Sequence, residues 1–183
     1  IIEWPAVIKK GSTNHVPSST VDIYPTVLKL AGVREPGNQP VLDGVSLAGM
    51  IKGEPFRRDK PMGFWSFPGP GQGRRARTML ETLRKEQQAG KQKPAPKEGL
   101  IEKKYPLDEF PGPAAWIADD WKLHRIPNKS GLSARYKLFN LRTDQAEKQD
   151  LAGAQPERLA RLKTELATWQ KSVINSLNGG DYE

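Results

Sequence analysis

The chain contains no cysteine. That excludes disulfide staples, thiolate-bound zinc, iron–sulfur clusters and thiol nucleophiles. Histidine is nearly as scarce, with His15 and His124 alone. Neither has a second His or a paired acid at ligand spacing, so both read as structural or exposed side chains. No apolar run approaches the roughly 20 residues that span a bilayer, and no secretory leader is visible. An initiator Met is missing too: the 183 residues open on Ile1-Ile2, which reads as part of a longer polypeptide. Hydrophobic residues make up 36% and mean hydropathy is -0.67, so the chain can bury a core of one ordinary domain and still carry a generous polar surface. Five Trp add large buried area where aliphatic content is modest.

What the chain has in excess is positive charge, and the excess is local. Of the net +8, +6 falls between Gly71 and Lys104, where ten basic residues face four acidic ones. Such a field attracts polyanions, although a solvated surface insertion is the commoner origin of a charge run. Aromatics are not interleaved with Arg74, Arg75 and Arg77, so a base-stacking platform for nucleic acid is not indicated.

Along the chain, Ile1–Trp4 reads as the end of a buried strand stopped by Pro5. Ile23, Val27, Leu30 and Ala31 share one helical face, which predicts a buried stripe. Ser19 or Thr20 caps a short first turn, Asp22 serves the helix N-terminus, and the main helix starts near Pro25 at its first position. Gly32 suits the left-handed residue that ends it. Ser46–Ile51 makes one or two helical turns, and residues 52–61 form a linker. Met62–Phe67 reads as a short aromatic strand, broken by Pro68-Gly69-Pro70-Gly71. Thr78 and Glu81 match a capping box opening a short helix to about Gln88, and Lys91–Glu98 reads as extended. Ala114–Ala118 and Trp121–Ile126 make a hairpin around Asp119-Asp120, followed by a strand at Tyr136–Leu141. Pro156 opens a long helix whose apolar stripe is Leu159, Leu162, Leu166, Trp169, Val173 and Leu177. Residues 61–183 thus predict a small antiparallel sheet with a helix laid across one face, an α+β arrangement with Trp side chains filling the interface.

Five motifs, in this order, resemble the sulfatase family. Trp4-Pro5 is similar to the family's Trp-Pro strand end. Ser19-Thr20-Val21-Asp22-Ile23-Tyr24-Pro25-Thr26-Val27-Leu28-Lys29-Leu30-Ala31-Gly32 resembles its Ser-x-x-Asp-x-x-Pro-Thr helix, and Asp43-Gly44-Val45-Ser46-Leu47 its Asp-Gly-x-Ser-Leu turn. Trp121-Lys122-Leu123 and Tyr136-Lys137-Leu138-Phe139-Asn140-Leu141 with Asp144, Glu147 and Asp150-Leu151-Ala152 resemble the closing strands and turn. Gln145 departs from the family's usual Pro.

The resemblance implies that residues 1–60 are the C-terminal end of an alkaline-phosphatase-like α/β catalytic domain, a remnant strand and helix. Residues 61–183 would be the C-terminal subdomain, with a basic insertion at about 68–113. It implies a sulfuric ester hydrolase that uses formylglycine and Ca2+, supplied by the parent enzyme and not by this stretch. The family motif for formylglycine is Cys/Ser-x-Pro-Ser/Ala-Arg. Here the one Pro-Ser pair lies in His15-Val16-Pro17-Ser18-Ser19, so no catalytic residue and no metal ligand is assigned. Ser18 and Ser19 read as helix-start residues, and Asp119-Asp120 as a solvated turn. Trp65, Phe67, Trp116, Arg74 and Arg75 are the candidates for the substrate rim, with core packing the competing role for the aromatics. The implied partners are an upstream catalytic domain of the same polypeptide and a sulfated small molecule or glycan, with no membrane. Bacterial members are often exported, which implies the periplasm or the exterior. Two other readings stay open: the tail of a related phosphodiesterase or phosphonate hydrolase, and a basic module that binds polyanions.

Overall fold

The computed structural model describes residues 1–37, 39–67, 72–91, 104–128 and 133–181, the side chains of 72–76 excepted. A 3-10 turn at Thr20–Asp22 runs into helix α1 (Ile23–Ala31), and a single turn, α2, covers Ala48–Ile51. Strand β1 (Met62–Trp65), helix α3 (Gln72–Gln88), strands β2 (Ala114–Ala118), β3 (Trp121–Pro127) and β4 (Ala134–Asn140), and helix α4 (Pro156–Leu177) follow. The strands form one four-stranded sheet in the order β1-β2-β3-β4, every pair antiparallel. This is the α+β arrangement that the pattern of residues 61–183 predicts.

One row across the sheet explains how α4 sits on it. Gly63 pairs with Trp116, Trp116 with Leu123, and Leu123 with Leu138. Leu162 and Leu166 of α4 complete the core over that row, with Trp169 packed beside them. A Cβ on Gly63 would meet the Trp169 ring at 2.4 Å, so the ring lies directly on bare backbone. Leu123, Leu138, Leu162 and Leu166 are at most 1% exposed, and each contributes about 1.5–3 kcal/mol by leaving water. The buried stripe of α4 also includes Gln170 and Ile174, while Leu177, expected on that stripe, is 42% exposed. The helical repeat of about 3.6 residues carries the buried line from Leu166 to Gln170 and Ile174 and leaves Leu177 to one side.

The first sixty residues depart further from expectation. Ile1–Trp4 joins no sheet among the described residues, and all four are exposed; a strand needs a neighbour to share its hydrogen bonds. Helix α1 begins at Ile23 rather than Pro25. Proline is tolerated at this third position because the first turn has no use for its N–H. Gly32 does close the helix in the left-handed region, with φ 67. The expected apolar stripe points outward: Ile23 is 59% and Val27 56% exposed. The inward face is built from Asp22, Pro25 and Thr26, all buried.

Helix α3 corrects another reading. Thr78 lies inside it, since the helix starts at Gln72. A capping box marks a start only where the preceding residues resist helix, and Gln72, Arg74, Arg75, Ala76 and Arg77 favour it. Glu81 instead pairs with Arg77 at 3.0 Å along the helix surface. The extended reading of Lys91–Glu98 lies outside the described residues except at Lys91.

Candidate functional site

The residues of the family-like helix and turn form a clip. Asp22 is wholly buried. Its carboxylate accepts from the Ser19 N–H at 2.8 Å, the Val45 N–H at 2.9 Å and Arg58 Nη1 at 2.8 Å. Burial pushes its pKa up, but the Val45 and Ser19 N–H groups and the Arg58 guanidinium outweigh that and hold it below the ordinary carboxylate value. Thr26 Oγ1 receives the Leu47 N–H at 2.9 Å. Gly44 admits no side chain, because a Cβ would meet the Val21 carbonyl oxygen at 2.1 Å. Asp22, Thr26, Gly44 and Leu47 together lock one helix to one turn.

A second cluster does the same for the sheet. Glu147, in the left-handed region at φ 54, reaches Lys122 Nζ at 2.5 Å and His124 Nε2 at 2.7 Å. Burial raises the Glu147 pKa, and Lys122 and His124 together pull it below its usual value. Asp150 Oδ1 accepts from the Leu138 and Ala152 N–H groups at 3.1 and 3.0 Å, and Asp144 Oδ2 from the Gln149 N–H at 2.8 Å. The acids of the closing motif fasten the turn after β4.

Between the clip and the sheet lies an open cleft of about 1820 Å³, bordered by His15, Arg57, Arg58, Asp119, Asp120 and Arg142. Asp119 and Asp120 form the expected hairpin turn, with Asp119 left-handed at φ 51. They are neutralised separately, by Arg57 at 2.8 Å and Arg142 at 2.6 Å. Sequence reasoning missed both ion pairs and the Asp22–Arg58 pair, because each joins loops that carry no periodic signal.

None of the aromatic candidates borders that cleft. Trp65 donates its indole N–H to the Pro111 carbonyl at 2.7 Å and packs edge-on to Phe67, with centroids 4.8 Å apart. Phe67 in turn meets Tyr105 at 5.0 Å. Trp116 is only 7% exposed; its N–H binds Glu165 at 2.9 Å and its ring meets Trp169 at 5.7 Å. The structure brings Trp65 and Phe67 together at the end of β1 and puts Trp116 in the core. Arg74 and Arg75 fall on α3, and their side chains lie outside the described ones.

Among the described residues no group of three or more His, Cys, Asp or Glu is placed to hold a metal ion. Ser18 Oγ is occupied by the Val16 carbonyl at 3.1 Å, and no Arg follows it at the motif spacing. The described residues do not fit a formylglycine–calcium centre. No helix among them is long and apolar enough to cross a membrane.

Human steryl-sulfatase is 41% identical over 59 residues, 32% of this chain and 10% of that protein. A protein named sulfatase from Formosa agariphila is 38% identical over 72 residues, 38% of this chain and 13% of its own length. The chain is sulfatase-like. Two solved structures share its fold. Ps i-CgsB matches 96% of this chain with TM-score 0.58 and 20% identity. BT4656, solved with its substrate D-glucosamine-2-N,6-O-disulfate, matches 100% with TM-score 0.54 and 19% identity. The sulfatase-like chain spans 32% and 29% of those two chains. No family profile matches it.

Proposed function

We propose that the chain is the C-terminal part of a sulfatase that hydrolyses aryl or glycan sulfate esters. Residues 1–60 would close its alkaline-phosphatase-like catalytic domain. Residues 61–183 would be the C-terminal subdomain, with the basic insertion at about 68–113. The observation that carries this reading is the local identity to steryl-sulfatase, 41% over 59 residues. In this account the chain supports the catalytic domain and supplies part of the substrate rim. The nucleophile and the calcium ligands belong to the preceding polypeptide.

The rim is assigned to Trp65, Phe67, Arg74 and Arg75, at the end of β1 and on α3, with Trp116 holding the aromatic group from beneath through Trp169. Stacked aromatics suit the apolar faces of sugars or aryl groups, and Arg suits sulfate. The substrate printed for BT4656, a disulfated glucosamine, supports a sulfated sugar as the partner class.

The test compares the longer reading frame with residues 1–183 alone. The longer protein should release sulfate from an aryl sulfate or a 6-O-sulfated glucosamine, and the 183-residue chain should not. Turnover by the 183-residue chain, or cleavage by the longer protein of a phosphate diester but no sulfate ester, would overturn the assignment. Retention of the chain on heparin with a steep salt dependence and no sulfate release by the longer protein would favour the polyanion-binding reading instead.

A further inference from the structure

We infer that Tyr105 is a further residue of the substrate rim and that Asn178, which caps the end of α4, is the residue that positions it; this rests on the reading of the chain as part of a sulfatase. Five rings form a row that starts in the core. Trp116, 7% exposed, meets Trp169 at 5.7 Å, and Trp169 meets Trp65 at 6.4 Å. Trp65 meets Phe67 at 4.8 Å, and Phe67 meets Tyr105 at 5.0 Å, edge-on at 75°. Tyr105 ends the row and is half-buried. Tyrosine combines an apolar ring with a hydroxyl, which suits a pyranose that shows C–H and O–H groups side by side.

What fixes Tyr105 lies 73 residues away in sequence. The Tyr105 N–H donates to Asn178 Oδ1 at 2.7 Å, and Asn178 Nδ2 donates to the Tyr105 carbonyl at 2.8 Å. Beside it, Lys104 Nζ donates to the Asn178 carbonyl, where a cation also meets the negative end of the helix. An amide side chain carries an acceptor and a donor side by side, so it answers both main-chain groups of one residue. An ionised Asp has no donor and cannot do the same.

The hold is specific to this position. Pro106, Leu107, Asp108 and Glu109, which follow, are exposed. The chain is gripped again at Pro111 and Gly112, whose carbonyls take the Trp65 indole N–H at 2.7 Å and the Nη1 of buried Arg125 at 2.8 Å. The main chain of Tyr105 is thus pinned by polar bonds while its side chain stays partly in solvent. A recognition contact requires this combination, a contacting side chain locked by a supporting shell.

Hydrogen exchange and steady-state kinetics on the longer polypeptide test this, with a 6-O-sulfated glucosamine oligosaccharide as the probe. Asn178→Ala should speed amide exchange at Tyr105 and raise KM several-fold with kcat nearly unchanged. Tyr105→Ala should raise KM by a similar factor, and the double variant no further than either single one, because the two residues act as a unit. Asn178→Asp, which keeps the acceptor for the Tyr105 N–H, should fall between wild type and Asn178→Ala. Leu177→Ala, at the neighbouring exposed position of α4, should change neither readout. Unchanged exchange at Tyr105 in Asn178→Ala, a fall in kcat at constant KM, or a wild-type KM in Tyr105→Ala would overturn the inference. If the longer wild-type protein releases no sulfate, the proposed activity fails and calorimetric binding of the same oligosaccharide decides this inference. Affinity weakened several-fold in both single variants would keep it; equal affinity, or no binding by the wild type, would overturn it.

Discussion

Arg58 Nη1 donates to Asp22 Oδ2 at 2.8 Å across 36 residues of sequence, and the two side chains are 8% and 0% exposed. This pair closes the clip that holds α1, the 43–47 turn and the linker together. Asp22→Asn leaves the guanidinium buried without its counter-charge and should destabilise the chain by about 3 kcal/mol. Urea unfolding measures it. Arg58→Met in the Asp22→Asn background should cost less than the two single changes added, because the stranded charge is gone.

The same carboxylate sets an acid limit. Its folded pKa lies below the ordinary value of 3.8, so Asp22 stabilises the fold fully above that value. Its contribution is lost as pH falls through the lower, folded value. Stability measured from pH 5 downward should therefore decline, and Asp22→Asn should flatten the decline. An unchanged slope in the variant would remove Asp22 from the account.

Gly63→Ala drives a methyl group into the Trp169 ring, 2.4 Å from the nearest ring carbon. Trp169 is held on its other sides by Trp65 and Trp116, with centroids 6.4 and 5.7 Å away, so it has little room to yield. Overpacking of this kind costs about 1–3 kcal/mol. Thermal unfolding followed by near-ultraviolet circular dichroism should show a lower midpoint together with a changed Trp signal.

Glu147→Gln removes the charge that Lys122 and His124 share. All three side chains are 22–30% exposed, so solvent screens part of the interaction and the expected loss is about 1 kcal/mol. High salt should narrow the gap between wild type and variant in chemical unfolding. A gap that salt does not change would mean that hydrogen-bond geometry, not charge, is what Glu147 provides.

The second half of the fold was legible because its elements announce themselves by periodicity. Two apolar-rich runs on either side of Asp119-Asp120 mark β2 and β3 as a hairpin, and Pro156 with its apolar stripe marks α4. The first half misled because Ile23, Val27 and Ala31 carry a buried pattern with nothing in the described residues to bury it, while polar Asp22 and Thr26 hold the inner face. The start of α3 was hidden by a capping signature inside a run of helix-forming residues. The aromatic candidates were legible as a group but not in their roles: pairing in register sends Trp116 into the core, and Trp65 and Phe67 are held together at the strand end. The ion pairs around Asp22, Asp119 and Asp120 join distant loops, and loop partners leave no trace in spacing.

The most direct test of the central claim is sulfate release from an aryl sulfate, measured side by side for the longer polypeptide and for residues 1–183. The account predicts turnover by the first and none by the second. Turnover by the 183-residue chain, or none by the longer protein with any sulfate ester, would contradict it.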